Sequence, residues 1–444
     1  MPCAWFLKLI HKTSNMKSIL AIFIATSLFI TCNNESKQST DSKDSTVYND
    51  SSGVSYRMVT ADTNRAFPAP FATPSVRNMS KVIGWPSGRM PMAPQGFTVS
   101  LFADNLDGPR WIYPAENGDI FVALADREGK KGNSVLLFRD ENKDGVPESK
   151  SVYLSGLNQP FGMLIMNNKF YVANTDAVQE YPYDPKSTTQ TNGGKVLLSL
   201  PAKGRHWTRN IVGNSAHTKI YITVGSSSNV AENGIDKETR RANILEVNAD
   251  GSGERVFASG LRNPVGLAWA PGTNTLWTAV NERDELGDDL VPDYITSVKE
   301  GGFYGWPYSY FGQHEDPRIK DDMKRPDLVK QALVPDVDLG SHTASLGLAF
   351  YTGTQFPAPY REGAFVGQHG SWNRSQLAGY KVVFVPINNG KPSGKPIDFL
   401  TGFIADEGKS EVYGRPVGVA VLADGSLLVA DDGAGKIWRV SYTK

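Results

Sequence analysis

The chain has 444 residues in which 46 Lys+Arg balance 46 Asp+Glu, so it lacks the basic surplus by which nucleic acid or an acidic membrane surface would be held. With 43 Gly, 27 Pro and 10% aromatic residues, the composition suits many short strands joined by turns, and an all-β fold is expected rather than a helix bundle. The two cysteines, Cys3 and Cys32, precede any folded domain, so disulfides do not hold the core.

Lys17 precedes an apolar run at 19–30 that is too short for a comfortable membrane span, and Phe29-Ile30-Thr31-Cys32 ends it. This pattern resembles a bacterial lipoprotein signal. The resemblance implies a signal segment at 1–32, a lipid on Cys32, and an exported protein in the periplasm or at the cell surface, held to a bacterial membrane through that lipid alone. Residues 33–66 are polar, too poor in apolar side chains to offset the entropy of ordering, and are expected to be a flexible tether.

From residue 67 onward a repeat emerges. Turn signals lead into apolar or alternating runs at 119–124, 169–174, 219–224, 275–280, 363–368 and 426–431. The first three begin about 50 residues apart, the spacing of a propeller blade. A second landmark precedes several first strands: Gly156 to Gly162 contains Gln159-Pro160-Phe161-Gly162, Gly260 to Gly266 contains Asn263-Pro264-Val265-Gly266, and Arg415-Pro416-Val417-Gly418 follows Gly414. Glycine there permits close backbone approach, and proline presets the turn. Both landmarks together give a six-bladed β-propeller over 67–444, closed between an early and a late strand, with an excursion at 281–342 on one face.

Gly204-Arg205-His206-Trp207-Thr208-Arg209 places an imidazole between two guanidinium groups at the entrance to a strand, where a proton can be removed near neutral pH. Further on stand the loop Gly225-Ser226-Ser227-Ser228-Asn229, the pair Arg262-Asn263, the acidic run 281–293, the stretch 301–307, His369-Gly370-Ser371-Trp372-Asn373-Arg374, and Arg415. Four arginines, Arg205, Arg262, Arg374 and Arg415, fall on one class of loop, and planar guanidinium suits carboxylates. Over about 95–444 these segments resemble the soluble quinoprotein sugar dehydrogenases, most closely their sorbosone dehydrogenase branch. The resemblance implies a propeller holding pyrroloquinoline quinone and Ca2+ in the mouth of its channel. By that likeness His206 is the general base and Arg262 a catalytic cation beside the reactive carbonyl. Arg205, Asn263, Arg374 and Arg415 are cofactor contacts.

The divalent ion would polarise the carbonyl that receives hydride. The run 282–289 offers hard oxygen ligands, with Arg283, Asp284 and Asp288 as candidates, partly through backbone carbonyls. Asp140 to Gly145 fits the first half of a calcium loop or a plain hairpin turn. The expected partners are a small sugar or polyol and a separate electron acceptor, since Cys-x-x-Cys-His is missing from the sequence. A noncatalytic carbohydrate- or protein-binding propeller and a metal-dependent lactonase propeller are the alternatives.

Overall fold

The computed structural model describes residues 45–49, 55–59, 66–142 and 144–443. Cys32, the signal-like run and most of the stretch read as a tether lie outside these. Within that stretch Ser45–Asn49 and Ser55–Val59 pair as an antiparallel hairpin.

The regular structure of the remainder is nearly all β, with few helices. In chain order the sheets run Pro109–Pro114, Ile120–Ala125, Gly132–Arg139 and Ser149–Leu154; then Met163–Met166, Lys169–Ala173, Ala177–Pro182 and Lys195–Ser199. The third holds Ile211–Gly213, Lys219–Val224, Asn243–Asn248 and Arg255–Ser259, and the fourth Pro264–Trp269, Leu276–Val280, Pro292–Ser297 and Val337–Ser341. Ala349–Phe350, Gly363–Gln368, Lys381–Asn388 and Ile397–Leu400 form the fifth, with Lys391–Pro392 as an added edge. The sixth joins Pro416–Val421, Leu427–Asp431 and Lys436–Tyr442 to Phe97–Ala103, a strand from the start of the described body. Val440 pairs with Val99 in that closure.

All six sequence landmarks prove to be second strands. Their burial explains why they read so clearly: Ile120–Ala125, Gly363–Gln368 and Leu427–Asp431 are buried on both faces, so nearly every position is apolar or small. Fourth strands behave oppositely and carry the exposed Val152, Val196, Val256 and Leu101 at the outer edges.

Apolar clusters fill the spaces between successive sheets. Phe121 packs with Phe170, Met166 with Ile220, Ile244 with Leu267, Trp277 with Phe350, and Phe365 with Val429. A further cluster joins Leu428 and Ile437 of the last sheet to Ile112 and Val122 of the first. First strands adjoin one another in the same order, and the succession returns from Pro416–Val421 to Pro109–Pro114. Where they crowd, the landmark glycines matter. A Cβ on Gly162 would lie 2.6 Å from the Ile211 nitrogen, and one on Gly418 would strike the Arg110 carbonyl.

The expected excursion at 281–342 is shorter than the sequence suggested. Pro292–Ser297 and Val337–Ser341 inside it are the third and fourth strands of the fourth sheet, and their apolar residues hid among acidic neighbours. Only 298–336 leaves the sheets, carrying the hairpin Ser309–Tyr310 with His314–Glu315 and the single-turn helix Pro326–Val329.

Gly418→Ala should cost about 1–3 kcal/mol, because backbone atoms cannot swing aside for the new methyl. Gly193→Ala, with nothing within 4 Å, should leave stability unchanged. Denaturant titration of the two variants checks the contrast.

Candidate active site

Antiparallel pairing puts the loop entering each first strand beside the loop leaving each second strand. In consequence His206, Arg262, Asn263, His342 and Arg415, on entry loops, gather at the same strand ends as Ser226, Asn229, Asp284, His369 and Asp432, on exit loops.

His206 is half-buried. Its Nδ1 lies 2.8 Å from the Ser226 carbonyl oxygen and 3.0 Å from Ser226 Oγ. The serine hydroxyl donates to the Ser228 carbonyl at 2.7 Å, so it meets the imidazole with a lone pair. Both neighbours are therefore acceptors toward Nδ1, which must carry the hydrogen, leaving Nε2 with a free lone pair. Burial and then Arg262 hold the imidazole well below the usual histidine range, with Arg205 and Arg209 adding less. The two arginines that flank it in sequence are thus secondary to Arg262, more distant along the chain. Arg209 instead lies beneath the loop, donating to the His206 carbonyl at 2.9 Å and the Pro201 carbonyl at 2.7 Å. A Cβ at Gly225 would run into Asn263 Oδ1 and come within 2.6 Å of His206 Cβ, which places imidazole, glycine and amide side by side.

Arg262 is 1% exposed, and its guanidinium is fully enclosed. Nε donates to the Asn229 carbonyl at 3.2 Å, Nη1 to the Glu282 carbonyl at 2.6 Å and Asn281 Oδ1 at 3.2 Å, and Nη2 to Asn229 Oδ1 at 2.8 Å and Asp284 at 3.2 Å. With its five N–H groups engaged, it acts on the site through charge and position rather than by direct contact. Asp284 also faces His342 Nδ1 at 3.5 Å. Burial opposes ionisation of this carboxyl, yet His342 and Arg262 outweigh it and hold it below the usual range. Nearby Asp293 accepts from the Glu282 and Ser345 amides and the Thr343 hydroxyl, but burial still pushes it up to about 7.

The three residues read as metal-linked do not converge. Arg283 is fully buried and turned toward Asp316 at 3.3 Å and the Ser309 carbonyl at 2.8 Å, pinning the excursion. Asp284 is committed to Arg262, and Asp288 clasps the Ser375 amide at 2.9 Å. Arg374 bonds the Asp288 carbonyl and pairs with Asp289 at 3.0 Å. Among the described residues the acidic side chains close enough to share an ion are Asp140, Asp144 and Glu148, on an exposed turn in the first sheet.

A second charged group stands where the first, fifth and sixth sheets meet. Asp432 pairs with Arg110 and, at 2.8 Å, with His369 Nε2. Arg415 donates to the His369 carbonyl at 3.0 Å, and Arg110 stacks 5.1 Å from the Trp207 ring, next to His206. Arg110 and Asp432 escaped the sequence reading. Their signal was positional: Gly108-Pro109-Arg110 opens a first strand as Arg415-Pro416 does, and Asp432 directly follows a second strand as Ser226 nearly does.

The pattern of the TrAA12-like family matches residues 91–297 and 311–443, and the break falls in the excursion. The chain belongs to the TrAA12-like family. It is 30% identical over 365 residues to an uncharacterized protein of Borreliella burgdorferi, covering 79% of this chain and 90% of that one. It is 25% identical over 410 residues to a pyrroloquinoline quinone-dependent pyranose dehydrogenase of Coprinopsis cinerea, covering 78% of this chain but only 54% of that protein. It therefore spans about half the length of that relative. Its fold is shared with the holo pyrroloquinoline quinone domain of Coprinopsis cinerea pyranose dehydrogenase (TM-score 0.66, 22% identity, 82% and 100% of the two chains covered). The calcium structure of a Trichoderma reesei family AA12 enzyme also shares it (TM-score 0.69, 18% identity, 80% and 97% covered).

Removing Arg262 from this TrAA12-like protein takes the guanidinium partner from buried Asp284 and leaves it to His342. Arg262→Ala should cost about 3–5 kcal/mol in denaturant unfolding. His206 gives a pH signature of opposite origin. Its folded pKa lies below the unfolded value, so as pH falls through about 6.5 the unfolded chain binds the proton first and stability drops. His206→Gln should flatten that part of the acid slope in a pH series of thermal melts.

Proposed function

We propose that the chain is a quinoprotein oxidoreductase, a six-bladed β-propeller that oxidises a sugar, sugar aldehyde or polyol using pyrroloquinoline quinone. The observation that carries the reading is His206: a neutral imidazole whose Nδ1–H is spent on Ser226, leaving Nε2 as a proton acceptor. Names of the relatives give the cofactor class, and the return of the sheet succession to its start supports six blades. The motifs quoted from the sequence support the finer sorbosone dehydrogenase-like placement.

The residues fit a tricarboxylated quinone. Arg205 is exposed beside His206 with no ion pair among the described residues. Asn263 Oδ1 and Arg110 Nε are buried and lack hydrogen-bond partners among them, one free acceptor and one free donor. Arg205, Arg415 and Arg110 would meet carboxylates, and Asn263 would hold the ring. When bound, the quinone supplies the hydride acceptor. Nε2 of His206 takes the substrate hydroxyl proton, Ser226 fixes the ring that does so, and buried Arg262 keeps that ring neutral between turnovers. Calcium is proposed to accompany the quinone. Because Arg283, Asp284 and Asp288 do not form a side-chain cage, and the carbonyls of Asn281, Glu282, Asp284, Leu286, Gly287 and Asp288 already accept hydrogen bonds, those of Arg283, Glu285 and Asp289 are the donors left for it in 281–289, and no step is assigned to the ion. Electrons then pass to a separate acceptor. Export and lipid anchoring through Cys32 complete the proposal, resting on the pattern at 17–32. A noncatalytic propeller would have no need of a base poised in this way.

Reconstitution of His206→Ala with quinone and calcium tests the mechanism. Quinone binding should stay near wild type while single-turnover reduction by an aldose slows by roughly two to four orders of magnitude. Reduction at the wild-type rate would remove His206 from the chemistry.

A further inference from the structure

A cavity of about 600 Å3 opens where the ends of the fourth and fifth sheets meet. His206, Arg262 and Asn263 are not among the residues that line it. Arg374, read from the sequence as a cofactor contact, lines it.

The charges around it are already matched. Arg374 pairs with Asp289 at 3.0 Å and Lys381 with Asp398 at 2.6 Å, so a charged ligand would have to break one pair to make another. Two lining residues have neutral polar atoms with nothing to bind. Ser341 and Gln368 are 5% and 1% exposed, and neither Ser341 Oγ nor Gln368 Oε1 has a hydrogen-bond partner among the described residues. Gln368 is also fixed, its Nε2 donating to the Leu339 carbonyl at 3.1 Å and to Ser345 Oγ at 3.3 Å. Buried polar atoms left without partners are destabilising, and a ligand that supplies those partners gains accordingly.

Space and shape complete the site. Gly340, Gly379 and Gly402 stand at φ of 89°, 79° and 85°, which supplies walls without side chains. Tyr380 adds an aromatic wall, held by its hydroxyl on the Ser371 carbonyl at 2.7 Å. A volume of this size belongs to the range that encloses small ligands. A hydroxyl both donates and accepts, so a polyhydroxy ligand satisfies the amide oxygen of Gln368 and the hydroxyl of Ser341 at once.

We propose that this cavity is a second, noncatalytic subsite for a neutral saccharide. The choice of saccharide over another neutral polyol rests on the sugar-oxidising reading of the His206 site. Isothermal titration of the full chain without cofactor, using cellobiose and maltose as probes and lactobionate as their acidic counterpart, tests it. A neutral disaccharide should bind, and lactobionate should bind more weakly. Ala378→Trp, which fills the cavity, and Gln368→Leu, which removes its amide, should each weaken binding by about tenfold or more, while His206→Ala binds as wild type. Unchanged thermal melts for the two cavity variants establish that they are folded. No binding by wild type, binding indifferent to both cavity variants, preference for the acid, or loss in His206→Ala would each overturn the proposal. Failure of the quinone reading shows separately, as a protein that binds sugar but reduces no quinone on reconstitution.

Discussion

A guanidinium sealed from water beneath an imidazole is the constraint on which this site depends. Arg262 cannot be buried without acceptors for its donors and a carboxylate for its charge. Asn229, Asn281, Glu282 and Asp284 supply these from two exit loops. Meeting that demand fixes the loops after the second strands of the third and fourth sheets and sets a permanent positive charge near His206. The buried cation thus reinforces a neutrality that burial of the imidazole sets first, and it holds the surrounding loops rigid.

That cation is positioned by sheet geometry. Entry and exit loops share one end of every sheet, and first strands close enough to need glycine bring those ends together. Closure of the last sheet by Phe97–Ala103 completes the succession. The second charged group, where Arg110, Asp432 and His369 meet, exists only because the sixth sheet packs on the first. A local sequence window cannot display it, since Arg110 and Asp432 are 322 residues apart.

The sequence made parts of this plain for physical reasons. Strands buried on both faces, such as Gly363–Gln368, carry an uninterrupted apolar or small pattern, whereas Val337–Ser341, where buried positions alternate with partly buried ones, does not. Proline and glycine landmarks marked the first strands because crowding leaves few other residues usable there. His206 was visible through its neighbours. Which neighbour governed it was not, because Arg262 reaches it through folding and Arg209 faces the backbone instead. The acidic run 282–289 suggested a metal cage by composition, yet its charges are divided among Arg283, Arg262 and Ser375. Composition counts ligands, and only geometry decides whether they face one another.

The central claim is that the folded protein holds His206 as a neutral imidazole protonated on Nδ1 with Nε2 free. Nitrogen-15 chemical shifts of the His206 ring, measured on the folded chain across the range from about pH 5 to pH 8, address it directly. At pH 6 Nε2 should be pyridine-like and Nδ1 pyrrole-like, with protonation appearing only well below the ordinary histidine range. An imidazolium at pH 6, or a ring carrying its hydrogen on Nε2, would contradict it.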